Sequence, residues 1–343
     1  MIIFLNLLLP LNLRDNIVMK NFCRMIIPAA LAAVLFSCNP RNNNILIQTR
    51  RVLITEAVPS GSGIAYYRDS VFLVGDDAEF LGVISGNDPG YRRSAFFAGG
   101  SPERIKKAVK HDLESVASGI FEGNRFLFAF GSGGISPYRD TMFAICPENG
   151  QKNFKVSLMP LYDEVMKQAG ISRKELNIEG ATLAGKNLLL FNRGNNFVIT
   201  VPTENFYRYL RNSNVAAVPD FKISKLNLPV INNFPVGISG ACTLTDELIL
   251  FTASLEETKD FILDGTIKGS YIGLLRLHKD RDIELVVLTP FKDSSGKDVV
   301  DKLESIDVIR IEDKNAEVVA VADNDDGKSK LFFLRLKIPD FIQ

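Results

Sequence analysis

The stretch SGSGIAYYRDSVFLVGDD, residues 60–77, places two short apolar runs around a tight polar turn and ends on two aspartates. Both runs are rich in aromatic and branched side chains and are bounded by Gly, Asp and Ser, a pattern that is typical of β-strands joined in a hairpin. The same arrangement returns along the chain at intervals of 56 to 65 residues. The five copies begin at Ser62-Gly63-Ile64, Ser118-Gly119-Ile120, Glu179-Gly180-Ala181, Ser239-Gly240-Ala241 and Glu304-Ser305-Ile306.

Each copy contains about four strands, as the second copy illustrates with GIFEG, RFLFAFG, DTMFAIC and NFKVSLM. A four-stranded unit that repeats along the chain is the blade of a β-propeller. The last copy has only three strands, and the run ILIQTRRVLI at 45–54 can supply the fourth, which would leave no open sheet edge. The sequence therefore predicts an all-β protein, a five-bladed propeller closed by its N-terminal strand. Six blades are the alternative, if a long connection contains a degenerate blade.

Two segments between blades have helical signals. Apolar residues in LYDEVMKQAG, residues 161–170, recur at helical spacing and are followed by a glycine suited to a C-cap. The segment SPERIKKAVKH, residues 101–111, begins with Ser-Pro-Glu, which favours a helix N-terminus. We predict short helical insertions at both places.

The chain has 343 residues, and its 40 basic residues balance 40 acidic ones, so the formal charge is +0. A neutral chain has no electrostatic footprint for nucleic acid, and the expected partner is a small molecule or an envelope protein. Only His111 and His278 are present, and no serine lies in a G-x-S-x-G motif, which argues against a Ser-His-Asp hydrolase. We expect His278 to be an exposed strand-end residue, whereas His111 lies near the polar loops.

The N-terminal region reads as a targeting segment. From Met19, basic residues precede an apolar stretch that ends in LFSC at Cys38, which resembles a bacterial lipoprotein signal. This predicts a signal peptide over 1–37, of which 1–18 is an upstream mis-start, lipidation of Cys38, a polar tether over 38–44 and the propeller over 45–343. The protein would be exported to the bacterial cell envelope, in the outer or inner membrane, and attached to it through the lipid alone. An uncleaved anchor helix is the alternative.

The two remaining cysteines, Cys146 and Cys242, each lie in an apolar strand-like run. Pairing is possible outside the cytoplasm, but two separate buried thiols fit the pattern better.

The loops that precede each innermost strand and those that join the second and third strands open on one side of a propeller, here called the polar face. In this sequence those loops are the polar parts of the repeat. Candidate ligand-binding residues are Asp76, Asp77, Glu114, Arg139, Glu179, Arg193 and Glu304. A structural interpretation competes for the residues that recur, because a Glu or Ser before Gly can accept backbone N–H bonds from the neighbouring blade.

The acidic segment DNDDG at 323–327 resembles half of a calcium loop. Asp323, Asp325 and Asp326 are therefore candidate calcium ligands. The segment lacks the full spacing and the twelfth-position Glu of an EF-hand loop, and a solvated turn is the alternative.

Several sequence segments resemble those of known protein families, among them SGIAYYRDSVFLVGDD, NIEGATLAGKNLLLFNRG and LESID…ADNDDG. They resemble the phytase-like and esterase-like β-propellers and a related group of uncharacterised envelope lipoproteins. The resemblance implies a propeller and suggests phosphoester substrates and calcium. We expect a lipid-anchored propeller that binds a ligand or protein partner on its polar face. The alternative is a calcium-dependent hydrolase of phosphate or carboxylic esters that uses a metal-activated water.

Overall fold

The computed structural model of the protein describes residues 44–86, 90–212, 218–257 and 265–339. Within these residues, strands dominate and form five antiparallel sheets arranged as a five-bladed β-propeller. The predicted fold class and blade number are therefore confirmed. None of the described helices is long and apolar enough to cross a bilayer. The predicted signal peptide and Cys38 lie outside the described residues.

The first strand of the chain, β1 (Leu46–Thr55), belongs to the last blade. The first blade contains β2 to β5, which span Gly61–Tyr67, Ser70–Gly75, Phe80–Ser85 and Tyr91–Ala95. The second blade contains β6 to β9, which span Leu113–Phe121, Asn124–Gly131, Thr141–Ile145 and Phe154–Ser157. In both blades each strand pairs with the next one along the chain, as tight hairpins dictate.

The third blade contains β10 to β13, which span Ile178–Ala184, Asn187–Asn192, Phe197–Pro202 and Lys222–Lys225. The fourth contains β14 to β18, which span Val230–Ile231, Phe234–Thr243, Leu248–Glu257, Thr266–Leu277 and Ile283–Pro290. Its short first strand, β14, is an addition to the four strands that the repeat predicts.

The fifth blade closes the ring in the predicted way. Strands β19 to β21 span Lys302–Glu312, Asn315–Asp323 and Ser329–Lys337. Strand β1 pairs with β21 from Leu46 opposite Lys337 to Thr55 opposite Ser329, and so forms the outer strand of this blade. The two ends of the described chain are thus held in one sheet, and the edge of β21 is covered.

Five apolar clusters form the core, one at each junction of neighbouring blades, including the junction of the fifth with the first. In blade order, residues that meet there include Phe72 with Phe143, Phe128 with Leu190, Phe191 with Phe251, Leu274 with Val318, and Val319 with Leu73. Because each blade buries both faces of its sheet, its strands are nearly continuous apolar runs, which is why the repeat is visible in the sequence.

Two α-helices occur in the described residues. Helix α1 (Met159–Ala169) is the predicted one, and Gly170 ends it in the left-handed region at φ 66°. Helix α2 (Thr203–Arg211) was not predicted. It connects β12 to β13 and packs Phe206, Tyr209 and Leu210 into the core.

The helix predicted over 101–111 is wrong, because this segment forms turns. One backbone donor of the segment and the donor that directly follows it bind the preceding blade, and Val109 N donates to Lys106 O in a turn. Ile105 N donates to Asp77 O at 2.7 Å, and Asp112 N donates to Asp76 O at 2.8 Å. The contacts with the loop of the first blade therefore replace the helical i→i−4 pattern.

The innermost strand of every blade has a register shift near its start, where one extra residue is inserted against the second strand. The inserted residues are Ser62, Glu114, Glu179, Ser239 and Glu304. A β-bulge of this kind re-aims a side chain. In the second blade the equivalent of Ser62 is therefore Glu114, and the alignment of that copy on Ser118 is wrong by four positions.

The two bulge serines join neighbouring blades. Ser239 Oγ donates to Leu303 O in the next blade at 2.5 Å, and Ser62 Oγ donates to Leu113 O in the same way. The structural role expected for these serines is present, but the hydroxyl donates to a carbonyl and does not accept from an N–H. The glutamates at the equivalent positions line the centre of the propeller.

Candidate functional site

A cavity of about 580 Å³ opens on the polar face and is lined by residues of all five blades. We call it the central cavity. Eight carboxylates line it, namely Asp76, Asp112, Glu114, Glu179, Glu256, Glu304, Asp323 and Asp325. Six cationic side chains line it as well, namely Lys107, Lys110, Arg139, Lys174, Arg193 and Lys302.

Most of the residues proposed from the sequence converge here. The cavity brings together Asp76, Glu114, Arg139, Glu179, Arg193, Glu304, Asp323 and Asp325. They come from distant parts of the chain and meet because bulges and second-to-third strand loops of successive blades face one axis. Asp77 and Asp326 are absent from the lining.

Asp77 supports the loop behind the cavity wall. It is 8% exposed, and its carboxylate accepts bonds from Ser60 Oγ at 2.8 Å and Arg104 Nε at 2.6 Å. Both carboxylate oxygens are thus used within the protein. Its contacts indicate a structural role for Asp77.

The acidic segment forms the turn between β20 and β21, and its carboxylates bind backbone donors. Asp323 Oδ1 accepts from Asp325 N at 2.9 Å, and Asp326 Oδ1 accepts from Lys328 N at 2.9 Å. Asx turns of this kind are a common structural role of aspartate in loops. Burial raises the pKa of Asp323 to about 6.

Arg193 is the centre of one buried charge network. Its Nη1 lies 2.6 Å from Glu179 Oε2, and its Nη2 lies 2.5 Å from Glu256 Oε1 and 2.7 Å from Ser254 Oγ. Burial alone would lower the pKa of Arg193, but the surrounding carboxylates outweigh it and raise that pKa. The guanidinium therefore stays charged and links the third blade to the fourth.

Lys302 and Glu304 extend this network into the fifth blade. Lys302 Nζ lies 3.1 Å from Glu304 Oε1 and 3.5 Å from Glu256 Oε1. Burial raises the pKa of Glu304 to about 8, although the ammonium of Lys302 acts in the opposite direction. Glu304 consequently changes its charge near neutral pH, as general acids and bases in enzymes do.

A second network surrounds Asp112. Lys110 Nζ lies 2.7 Å from Asp112 Oδ1 and also contacts Asp76. Asp112 Oδ2 accepts from Arg139 Nη1 at 2.6 Å and from Ser132 Oγ at 2.5 Å. Two cations and a hydroxyl thus compensate the Asp112 charge on the cavity wall.

Glu114 differs from the other carboxylates of the cavity. Within the described part of the chain it forms no ion pair or side-chain hydrogen bond. Burial, reinforced by the charges of Asp112 and Asp76, raises its pKa well above the usual value. The Glu114 side chain therefore lines the cavity as an acceptor without a protein donor.

Three carboxylates are close enough to hold a cation together. One oxygen each from Asp76, Asp112 and Glu114 lie within 4.8 Å of one another. The ammonium of Lys110 already bridges Asp76 and Asp112, so a metal ion would compete with a resident positive charge. The acidic group is therefore a possible cation site at a place different from the predicted DNDDG turn, and calcium stays a prediction.

Part of the cavity wall is apolar. Ile135, Leu176, Pro235 and Val236 line it together with the charged groups. Ile135 is 46% exposed in the loop that follows β7. A mixed wall of this kind suits an organic ligand that has both polar and apolar parts.

Sequence reasoning missed six charged residues of the site: Lys107, Lys110, Asp112, Lys174, Glu256 and Lys302. Three of them could have been predicted from their neighbours, since Lys110 and Asp112 lie four and two residues before Glu114 and Lys302 lies two residues before Glu304. Glu256 lies near the end of β16 and leads into the loop between the second and third main strands of its blade. In the other blades the same loop supplied predicted site residues.

The two histidines and the two described cysteines have no place in the cavity lining. His111 Nε2 lies 2.7 Å from Glu79 Oε1, and its Nδ1 lies 3.0 Å from Tyr138 O, so His111 braces the loop after β7. His278 is exposed just after β17, as predicted. Cys146 and Cys242 are buried free thiols, which confirms the preferred interpretation.

Solved structures with similar architecture include glutaminyl cyclase from Myxococcus xanthus, with a TM-score of 0.44, 12% identity, and coverage of 87% of this chain and 99% of that one. The Malassezia sympodialis allergen Mala s 1 has a TM-score of 0.45 and 10% identity, with 84% and 96% covered. The PQQ-bound aldose sugar dehydrogenase from Streptomyces coelicolor has a TM-score of 0.38 and 10% identity, with 87% and 100% covered. At these values the similarities carry no argument about activity.

None of the curated proteins matches this chain. The finer resemblance to phytase-like and esterase-like propellers stays a prediction, because the family that matches is a different one. That match extends over residues 57–336, from the approach to the first blade to the end of the last, and the chain therefore belongs to the family of unknown function DUF6929.

Proposed function

We propose that the protein binds a small organic ligand in the central cavity of its polar face. The observation that carries this proposal is the convergence of charged groups from all five blades on one cavity of about 580 Å³. Ligand sites in proteins have volumes of roughly 300 to 1,000 Å³ and combine apolar walls with a few placed polar groups. An envelope protein that inserts a polar segment into the same cavity is the alternative occupant.

The ion pairs support a preformed site. Ion pairs of the Arg193 network join neighbouring blades, and those of the Asp112 network join neighbouring loops. The wall residues are therefore held in place without a ligand. A ligand that enters such a site does not need to order these side chains, which lowers the entropic cost of binding.

Crystallographic fragment soaking tests the proposal, with Gly134→Leu as the blocking variant. A Cβ at Gly134 would meet Leu176 O at 3.4 Å, Ser132 Oγ at 3.8 Å and Arg139 Nη1 at 3.9 Å, which are ordinary van der Waals contacts, so a side chain can be started from this position of the cavity wall. We expect fragments in the cavity of the wild-type protein and a loss of that occupancy in Gly134→Leu.

Gly150→Leu is the matched control, because a Cβ there meets only Asn153 Nδ2 at 3.8 Å and Gly150 is outside the cavity lining. It should leave fragment occupancy unchanged. Fragments that collect elsewhere while the cavity of the wild-type protein stays empty would contradict the proposal.

We further propose that the propeller is exported to the cell envelope and attached there by lipid on Cys38. The support is the sequence pattern alone, a basic and apolar segment that ends in LFSC. Metabolic labelling with a radioactive fatty acid should mark the wild-type protein and not Cys38→Ser. Cys23→Ser, which changes a cysteine inside the predicted signal peptide, is the control and should keep the label.

Calcium-dependent ester hydrolysis is a second candidate, favoured by the proximity of Asp76, Asp112 and Glu114. It predicts a melting temperature that rises with calcium, falls again with a chelator and no longer responds in Asp76→Asn. It also predicts calcium-dependent hydrolysis of p-nitrophenyl phosphate or acetate. Ligand binding without either response would favour the first proposal.

A further inference from the structure

The charges of the central cavity do not cancel. Eight carboxylates and six cationic side chains line it, so that two negative charges remain when every group is ionised. The four cations of the Arg193 and Asp112 networks are already within 3.5 Å of carboxylates, as described above. The other two, Lys107 and Lys174, are exposed. Asp325 is exposed as well, so seven carboxylates and four cations remain among the less exposed groups, and the excess of acceptors is located there.

Two acceptors in one place lack a donor. Glu114, which is half-buried, has no ion-pair partner among the described residues, and Asp76 Oδ1 is a buried oxygen without a hydrogen-bond partner in the same part of the chain. Oxygens of these two residues are within 4.8 Å of each other. Buried acceptors are nearly always hydrogen-bonded in proteins, and leaving one unpaired costs roughly 1 to 3 kcal/mol.

A donor with positive charge answers both observations, because it can pair with Asp76 Oδ1 and its charge favours the ionised form of Glu114 that burial disfavours. A primary ammonium fits, since it carries one positive charge and three N–H donors on a tetrahedral centre. Lys110 demonstrates the same chemistry next to this place, where one ammonium contacts Asp76 and Asp112 together. A bare cation would leave the exposed side chain of Ile135 on the cavity wall without a partner.

We infer that Glu114 binds the primary ammonium group of an organic ligand whose apolar part packs against the exposed side chain of Ile135. This inference rests on the proposed function, because it names the class of ligand for the same cavity. An aliphatic amine is the simplest compound that has both features.

Three compounds of equal chain length separate the chemistry of the head group from that of the chain: hexylammonium chloride, hexanol and sodium hexanoate. Their dissociation constants would be measured by ligand-observed NMR at neutral pH, and crystals soaked in each would locate them. We expect hexylammonium to bind at least about tenfold more tightly than the other two, since one charge-assisted bond to a buried carboxylate is worth about that factor.

Glu114→Gln keeps the shape of the side chain and removes its charge. It should weaken hexylammonium binding by about tenfold or more and leave hexanol binding unchanged. Glu247→Gln is the matched control, because Glu247 is exposed in the turn between β15 and β16, outside the cavity lining. It should have no effect on any of the three compounds.

The outcomes distinguish the ammonium inference from the proposal that the central cavity binds an organic ligand. Equal binding of hexanol or hexanoate in the cavity, or hexylammonium binding that Glu114→Gln leaves intact, would overturn the ammonium inference and keep the ligand site. An empty cavity with all three compounds would overturn both. If calcium chloride displaces bound hexylammonium from the wild-type protein and does not bind to Glu114→Gln, the ammonium inference is wrong and the site binds a metal ion.

Discussion

Arg193 Nη2 lies 2.5 Å from Glu256 Oε1, so an ion pair joins the third blade to the fourth at the wall of the central cavity. The same guanidinium also binds Glu179. All three side chains are about nine-tenths buried. Removing one partner of a buried pair leaves an uncompensated charge, which is far more costly than the net gain of forming the pair.

Arg193→Met should therefore lower the free energy of unfolding by about 3 to 5 kcal/mol at pH 8, because Glu179 and Glu256 lose their shared counter-ion. Urea unfolding monitored by far-UV circular dichroism would measure the loss of stability, since the protein has no tryptophan for fluorescence. Adding Glu256→Gln to Arg193→Met should recover part of it. Arg208→Met, which breaks an exposed pair with Glu204, is the control and should stay within about 0.5 kcal/mol of the wild type.

Ser239→Ala should destabilise the junction of the fourth and fifth blades. The hydroxyl of Ser239 donates to Leu303 O at 2.5 Å, and both residues are buried. Its removal leaves that carbonyl unpaired, at a cost of about 1 to 3 kcal/mol in the free energy of unfolding. Ser85→Ala, at an exposed strand end, should change it little. Equal effects of the two variants would refute the inter-blade role.

Glu304 should make stability depend on pH. Its pKa is about 8 in the folded protein against about 4.5 when unfolded, so the folded state holds the proton more tightly. The stabilising contribution of this proton is fully present below pH 4.5 and is lost as the pH rises through about 8. The free energy of unfolding of the wild type should thus fall relative to that of Glu304→Gln over this window. Glu247→Gln should show no such trend, and a flat difference for Glu304→Gln would contradict the assignment.

Deleting residues 45–54 should open the fifth blade. Strand β1 covers the edge of β21 along its whole length, and Ile45, 2% exposed, belongs to the core between the fourth and fifth blades. We expect loss of most of the stability of a typical domain, roughly 5 to 15 kcal/mol, together with aggregation through the exposed edge. A synthetic peptide of residues 44–55 added to the truncated protein should restore its melting temperature. An unchanged melting temperature without the peptide would argue against N-terminal closure.

The repeat could be predicted because a blade buries both faces of its sheet, so that apolar runs such as RFLFAFG and NLLLFNRG stand out between polar turns. The unpaired last copy and the extra run at 45–54 then implied closure by β1. Local signals failed where distant contacts compete with them. Residues 101–111 bind the loop of the first blade and form no helix, and Phe206 and Tyr209 stabilise α2 by packing into the core.

The sequence by itself determined the architecture, the number of blades and the side of the propeller on which charged residues gather, because these follow from strand periodicity and the order of loops. Only the tertiary structure decided which charges meet. The sequence predicted Glu114 as a loop residue but aligned the repeat on Ser118, and only the β-bulge in the structure puts Glu114 in register with Glu179 and Glu304. The pairing of Arg193 with Glu256, and the lack of an ion-pair partner for Glu114 among the described residues, depend on distances between blades that are far apart in the chain.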